Sequence, residues 1–525
     1  MEETINKSKS SSLLKKNVAL NTIFKILMII APFITAPYIS RVLLSDGVGI
    51  FGYTQSLVTY FTMFAALGTI SYGTREIARR RDDKKDYSKS FWEIEIISVI
   101  CSAVALSGWI VLSLLYVEYQ KYLLILSFMI LATCMDISWL YAGLEKYKYT
   151  VAINLLFKII SVVLIFICVK TPSDVWVYIL IYSLSLFAGN ASMWLFLPRV
   201  LAKTNIDKHS LKHHFKETLI YFIPAVATSL YTVLDKTLIG TLIQGTTTVM
   251  VDGEEVVKKT AELESGYYEQ ATKIIDIVKT VTFVSIVTVM CSRSSYLYKI
   301  DDKVEIKKLT LNTFEVTMML SIGAAFGLAG VANLFVPIFF GEGYEKTIML
   351  LQILAFVVPV ICVSGTLGSL YYTPSGRRMR SALFLLAGAA LNVALNCPLI
   401  IYFKSAGAAF ASLAAELVIS ILYFAFCGKA ITLKEFLLVI WKKAVAGALM
   451  LGVLFVLYYY VTPLFSNSYI SLFICLASGA LIYLVVLLLL KDKSISLFLS
   501  ILKRKHSKSI KEENKEITNE NNQEI

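Results

Sequence analysis

Apolar runs long enough to cross a bilayer recur from one end of this chain to the other. A hydrocarbon core about 30 Å thick needs about 20 mostly apolar residues per helix. Runs of that kind occupy 17–40, 48–73, 91–115, 122–142, 151–169, 175–197, 219–241, 271–291, 309–332, 347–372, 381–403, 406–428, 444–463 and 468–490. Transmembrane β-strands would instead alternate over segments of about 10 residues. The expected fold is therefore an all-α polytopic membrane protein of about fourteen transmembrane helices. Pro32, Pro37 and Pro359 fall inside runs, which membrane helices accept where neighbours satisfy the freed carbonyl. Hydrophobic residues make up 57% and charged residues 17%, against roughly a quarter charged in soluble domains. The first run is long enough to span, so no cleaved signal is expected.

The positive-inside rule reads orientation from Lys and Arg in the loops. With the N-terminus in the cytoplasm, 38 of the 50 basic residues fall in inner loops and tails, and only seven in outer loops. That alternation supports the count of spans and puts both termini in the cytoplasm. The formal charge of +13 then reads as an orientation signal, with no nucleic-acid partner expected. Residues 1–16 form an N-terminal tail, 199–218 a cytoplasmic linker, and 491–525 a polar tail expected to be disordered. The longest outer loop, roughly 242–270, carries Asp252-Gly253 between short β-branched runs, a hairpin signal. Its acids are Asp252, Glu254, Glu255, Glu262, Glu264 and Glu269. All eight cysteines lie in apolar runs without C-x-x-C spacing, which argues against a disulfide framework or zinc site.

Catalytic patterns are missing. No G-x-x-x-x-G-K-[ST] would cradle a nucleotide phosphate, and there is no H-E-x-x-H or G-x-S-x-G. His209, His213, His214 and His506 all fall in inner loop or tail. Asp82-Asp83 and Asp301-Asp302 sit among basic residues, as solvated loop charge does. The expectation is a transporter with no cofactor and no metal, not an enzyme.

Charges inside spans are costly, by about 2.5–3.5 kcal/mol at the bilayer centre on insertion scales, and usually face a protein interior. Lys25, Lys158, Lys236, Lys273 and Lys279 are such residues. Lys273, Asp276 and Lys279 follow at intervals of three, along one helical face. Asp235 adjoins Lys236, while Asp136, Glu315 and Glu416 lie in the fourth, ninth and twelfth runs. These carboxylates suit either ion coupling or polar networks between helices. The lysine excess tilts the expected cargo towards an anion. A weak internal repeat joins Tyr53-Thr-Gln to Tyr268-Glu-Gln, as repeat-built transporters show.

Asn21 with Pro32 and Pro37, followed by Gly47-Val-Gly-Ile-Phe-Gly-Tyr, resembles the opening of Wzx-type polysaccharide flippases. Tyr72-Gly-Thr-Arg-Glu-Ile-Ala-Arg, Trp139-Leu-Tyr-Ala-Gly-Leu-Glu, Leu234-Asp-Lys-Thr-Leu-Ile-Gly and Gly266-Tyr-Tyr-Glu-Gln-Ala-Thr-Lys-Ile extend the similarity. That family belongs to the exporter superfamily of multidrug extruders and lipid II flippases. The resemblance implies two pseudo-symmetric six-helix bundles, here 17–198 and 219–428, around a central cavity, with two peripheral helices at 444–490. It also implies a bacterial cytoplasmic membrane and an undecaprenyl-pyrophosphate-linked oligosaccharide turned from inner to outer leaflet. In that fold Lys25, Arg41, Lys236, Lys273 and Lys279 would hold the pyrophosphate, and Asp136, Asp235, Asp276 and Glu416 are candidate coupling carboxylates. A polysaccharide polymerase and glycosyltransferases of the same pathway would be partners. The alternatives are a cation-coupled multidrug exporter, expected to have an acidic cavity, and a polysaccharide polymerase, expected to have a large outer loop with Arg or His. The hairpin loop at 246–259 is longer than that family usually has.

Overall fold

The structure, a computed structural model, describes residues 2–206, 208–251, 254–428, 430–460, 462–465 and 467–498, with side chains left out at 2–30, 147–149, 151, 208–209, 223–225, 227–232 and 251. The described chain is helical apart from one β-hairpin and short connections. It divides into two compact units, residues 1–273, 339–347 and 389–411 forming the first and 274–338, 348–388 and 412–525 the second.

The first unit opens with α1 (Glu2–Ala66), a long helix broken at Leu44, whose backbone turns to φ 58° and ψ −177°. Positive φ is uncommon for a side chain branched beyond Cβ and marks a true break. The expected spans 17–40 and 48–73 lie to either side of it. There follow α2 (Thr69–Arg80), α3 (Lys84–Leu115), α4 (Gln120–Cys134), α5 (Ser138–Gly143), α6 (Tyr147–Cys168), α7 (Val175–Met193), α8 (Leu197–Val200) and α9 (Lys208–Leu242). Strands β1 (Thr246–Val251) and β2 (Glu254–Lys259) pair antiparallel, Thr246 opposite Lys259 and Val251 opposite Glu254. The expected hairpin is present, its Asp252-Gly253 turn lying outside the described residues. Next come α10 (Thr260–Lys279), which crosses from the first unit into the second, and α11 (Ser285–Lys299), joined by a π-helical turn at Thr280–Val284.

The chain continues through α12 (Lys303–Phe340), α13 (Glu345–Ala355), α14 (Val357–Leu367), α15 (Arg378–Phe403), α16 (Ser405–Ala425), α17 (Leu433–Tyr460) and α18 (Ser468–Leu489). Ten helical stretches among the described residues are long and apolar enough to cross a membrane. The remaining expected runs lie on the two parts of α1, on α6 and on α9, so the count of about fourteen stands as an expectation from sequence.

Within the first unit, Leu43, Phe51, Trp109, Leu123 and Ile179 join one apolar core. Phe91, Trp139, Tyr141 and Met193 join another. In the second unit α17 and α18 share a core through Met450, Leu454, Cys475 and Leu487. Val104, Leu115 and Leu489 are 70–76% exposed, an arrangement that suits hydrocarbon and would be costly in water. The chain is a multi-pass membrane protein.

Candidate functional site

Two of the in-span lysines of the first unit, Lys236 and Lys273, converge on a residue that the sequence hides. Glu269 was assigned to the outer acidic loop, but α10 begins at Thr260, so Glu262, Glu264 and Glu269 belong to a helix. Glu269 is 3% exposed. Lys236 Nζ on α9 lies 2.6 Å from its Oε2, and Lys273 Nζ, one turn further along α10, lies 3.3 Å from Oε1. Lys273 also stands 5.7 Å from the ring centre of Phe51. Two ammonium groups thus share one carboxylate, with the carboxylate of Asp235 buried beside Lys236.

Close backbone approach makes this geometry available. A methyl group on Gly49 would fall 1.7 Å from the carbonyl oxygen of Glu262, and one on Gly266 would fall 1.8 Å from that of Ser45. Small residues on facing helices permit such contact. The side chains beside it interlock: Gln270 Nε2 donates to Ser40 Oγ at 2.6 Å.

Asp235, beside Lys236, is buried. Its Oδ2 accepts from the Tyr268 hydroxyl at 2.6 Å, and its Oδ1 from Asn396 Nδ2 at 2.7 Å. Asn396 also donates to Asn392 Oδ1 at 2.9 Å. Sequence reasoning singled out neither asparagine, although their i, i+4 spacing inside an apolar helix was the available signal. At the hairpin Lys258 of β2 pairs with Asp46 at 2.5 Å, and Lys259 with Glu118. Arg41, exposed on α1, lines a cavity of about 700 Å³ with Asp46, Lys258, Glu342 and Glu345.

The other candidates are placed separately. Lys25 lies in α1 but outside the residues whose side chains are described. Asp136, between α4 and α5, accepts the Ser138 N–H at 2.9 Å and lines a second cavity with Lys158. In the second unit Asp276, 65% exposed, pairs with Lys279 at 2.6 Å. Glu416 is buried on α16. Glu315 meets Lys443 at 2.6 Å, and Lys443 meets Asp492 at 3.1 Å. Lys443, just ahead of the expected 444–463 run, lies inside α17 and is completely buried.

Residues 14–295 match the family described as polysaccharide biosynthesis protein. A protein named "Putative O-antigen transporter" from Escherichia coli (strain K12) is 25% identical over 422 residues, covering 79% of this chain and 96% of that protein. One of the same name from Shigella dysenteriae is 24% identical over 419 residues, covering 77% and 98%. Among solved structures, the lipid II flippase MurJ in an inward closed conformation matches with a TM-score of 0.66 at 16% identity, over 90% of this chain and 98% of that one. An inward-facing multidrug resistance MATE family transporter of the MOP superfamily matches at 0.54 and 14% identity, over 76% and 97%. The two structures establish a transporter fold. With over half its length matched, the chain belongs to the polysaccharide biosynthesis protein family, and the resemblance to Wzx-type flippases is borne out.

Proposed function

We propose that this protein flips an undecaprenyl-pyrophosphate-linked oligosaccharide from the inner to the outer leaflet by alternating access, for surface polysaccharide biosynthesis. The family and the O-antigen transporter relatives support a polysaccharide or lipid-linked flippase. The observation that carries the finer reading is the pairing of Lys236 and Lys273 on the single carboxylate of Glu269. A desolvated pyrophosphate is attracted to a pair of ammonium groups far more strongly than in water, since Coulomb energy scales inversely with the dielectric constant. Lys25, Arg41 and Lys279 complete the proposed cation set by charge alone. Asp235, held by a phenol and an amide, is the leading candidate to carry a coupling ion; Asp136, Asp276 and Glu416 follow. A drug exporter for cationic cargo would have no use for two ammonium groups at one carboxylate, and no bond-making step is assigned to the chain. The polymerase and glycosyltransferases of the pathway are its proposed partners, both termini facing the cytoplasm.

The test is what accumulates when the gene is removed. Lipid-linked oligosaccharide trapped on the inner leaflet supports the proposal. Unchanged lipid intermediates with altered drug sensitivity would sink it.

A further inference from the structure

Among the described residues, the two strands of the hairpin between α9 and α10 pair only with each other, which leaves both sheet edges open. One hydrogen bond at the base fixes which backbone groups face outward: the Thr260 N–H donates to the Gly245 carbonyl at 3.0 Å. Antiparallel ladders alternate bonded and non-bonded pairs, so Thr247 bonds Lys258 and Val249 bonds Val256. The N–H and C=O groups of Thr246, Thr248 and Met250 therefore point away from β2, along the free edge of β1.

The two edges differ in charge. β2 carries Glu254, Glu255, Lys258 and Lys259, and its base is held by Lys258 on Asp46 and Lys259 on Glu118. Charged residues of that kind keep an edge from recruiting another strand. β1 reads Thr-Thr-Thr-Val-Met-Val, with no charge, Pro or Gly, and all but Met250 are β-branched. Thr246, Thr247 and Thr248 are exposed, and Met250 and Val257 are each 66% exposed. Such an edge accepts an extended strand. Its lack of charge suits a copy of itself, because a two-fold sets β1 against β1 and any charge of one sign would meet its own kind.

The placement of the hairpin agrees. Val249, Val256 and Lys258 share the half-buried face, and Val249 and Lys258 line the cavity of about 700 Å³ beside Asp46. Thr248 and Val257 share the opposite, exposed face. Two antiparallel strands are related by a two-fold normal to their sheet, so that axis runs from the protein outward. Two copies then stand side by side and point the same way, as a shared membrane requires.

We infer that the β1 edge is a self-association surface, on which a second copy of this chain adds its own β1 antiparallel to make one four-stranded sheet from two hairpins. Only the outward-facing residues can bond across the new seam, so Thr248 lies opposite Thr248 of the second copy and Thr246 opposite its Met250. A ladder this short buries well under the roughly 1,200 Å² of a standard interface. The pair therefore belongs to the membrane, where chains are concentrated, and is lost on dilution in detergent. The inference goes beyond the flippase reading and does not depend on it.

Cysteine cross-linking of the full chain in intact membranes tests it, with copper phenanthroline as oxidant. Residues in a bonded pair have Cα atoms about 5.5 Å apart, within the 4.4–6.8 Å that a disulfide spans. Thr248→Cys should therefore give a dimer band well above that of the parent chain with its eight native cysteines. Glu255→Cys on the far strand should not, because three strand spacings, about 14 Å, would separate it from its copy. Energy transfer between two tagged full chains in the same membrane supplies a second readout. Thr248→Lys and Thr248→Glu should each abolish the transfer at normal protein level, and a Lys chain expressed with a Glu chain should restore it. Position 248 is exposed, so these changes leave the core intact. Cross-linking of Thr248→Cys no greater than the parent overturns the inference. So does a cross-link to a chain of different mass, or energy transfer unchanged in both charge variants.

Discussion

Nζ of Lys236 lies 2.6 Å from Oε2 of Glu269, a residue 33 positions later in sequence and almost fully buried. Because Lys273 shares the same carboxylate, removing one member changes the charge of the whole cluster. Lys236→Ala and Lys273→Ala should each lower polysaccharide export tenfold or more at normal protein level, and Arg at either position should recover part of it. Glu269→Gln should instead destabilise the protein, by about 3 kcal/mol where a buried pair loses its partner. Export assays with protein quantified by blotting separate the two effects.

The contact at Gly49 and Gly266 leaves no room for a side chain. Gly49→Ala directs a methyl into the Glu262 carbonyl, and Gly266→Ala directs one into that of Ser45. Backbone atoms cannot swing aside as a flexible side chain can, so each change should cost about 3 kcal/mol or more. Thermal unfolding in detergent should show a large loss for both. Gly452→Ala, where nothing lies within 4 Å, should show almost none.

Acid should loosen the first unit around His214. The ring is buried on α9 ahead of its apolar stretch, with Nδ1 2.6 Å from the Tyr72 hydroxyl and Nε2 3.1 Å from Glu93 Oε2. Burial holds its pKa below the ordinary 6.5, outweighing the pull of Glu93 in the other direction. Below pH 6.5 the unfolded chain therefore binds a proton that the folded chain refuses, and stability falls as pH falls through the folded value. Above 6.5 the contribution is fully present. Melting temperature followed from pH 7.5 downwards should decline less steeply in His214→Gln than in wild type.

Lys443 should matter to folding and not to transport. It is fully buried in the second unit between Glu315 and Asp492. Lys443→Ala leaves two carboxylates facing each other without a cation and should cost about 3–5 kcal/mol. Lys443→Met combined with Glu315→Gln and Asp492→Asn should recover most of that loss. Export per folded molecule should stay near wild type in the triple variant.

Orientation can be checked chemically. Single cysteines near Lys258 and near Lys505 should react with an impermeant thiol reagent from opposite sides of the membrane. Reaction of both from one side would overturn the proposed topology.

The in-span lysines were legible because a charge stands out in an apolar run. The carboxylate shared by Lys236 and Lys273 was not. Glu269 follows eleven mixed residues that read as loop, and only its spacing of four from Lys273 and seven from Glu262 betrays the helix. Lys443 closes a basic stretch just ahead of an apolar run, and its partners lie 128 and 49 residues away, beyond any local pattern. The hairpin could be read from local turn chemistry, which needs no distant partner. The cavity that Lys158 and Asp136 line draws its walls from helices far apart in sequence, which no local spacing brings together.

The methyl-free contact between α1 and α10 has a mechanical consequence. Two helices whose backbones touch cannot slide past one another without first separating. From Ser45 to Gly266 they therefore act as a single strut, and whatever rearrangement carries cargo has to swing it whole. Spin labels on the two helices near this contact should keep a constant separation throughout the transport cycle.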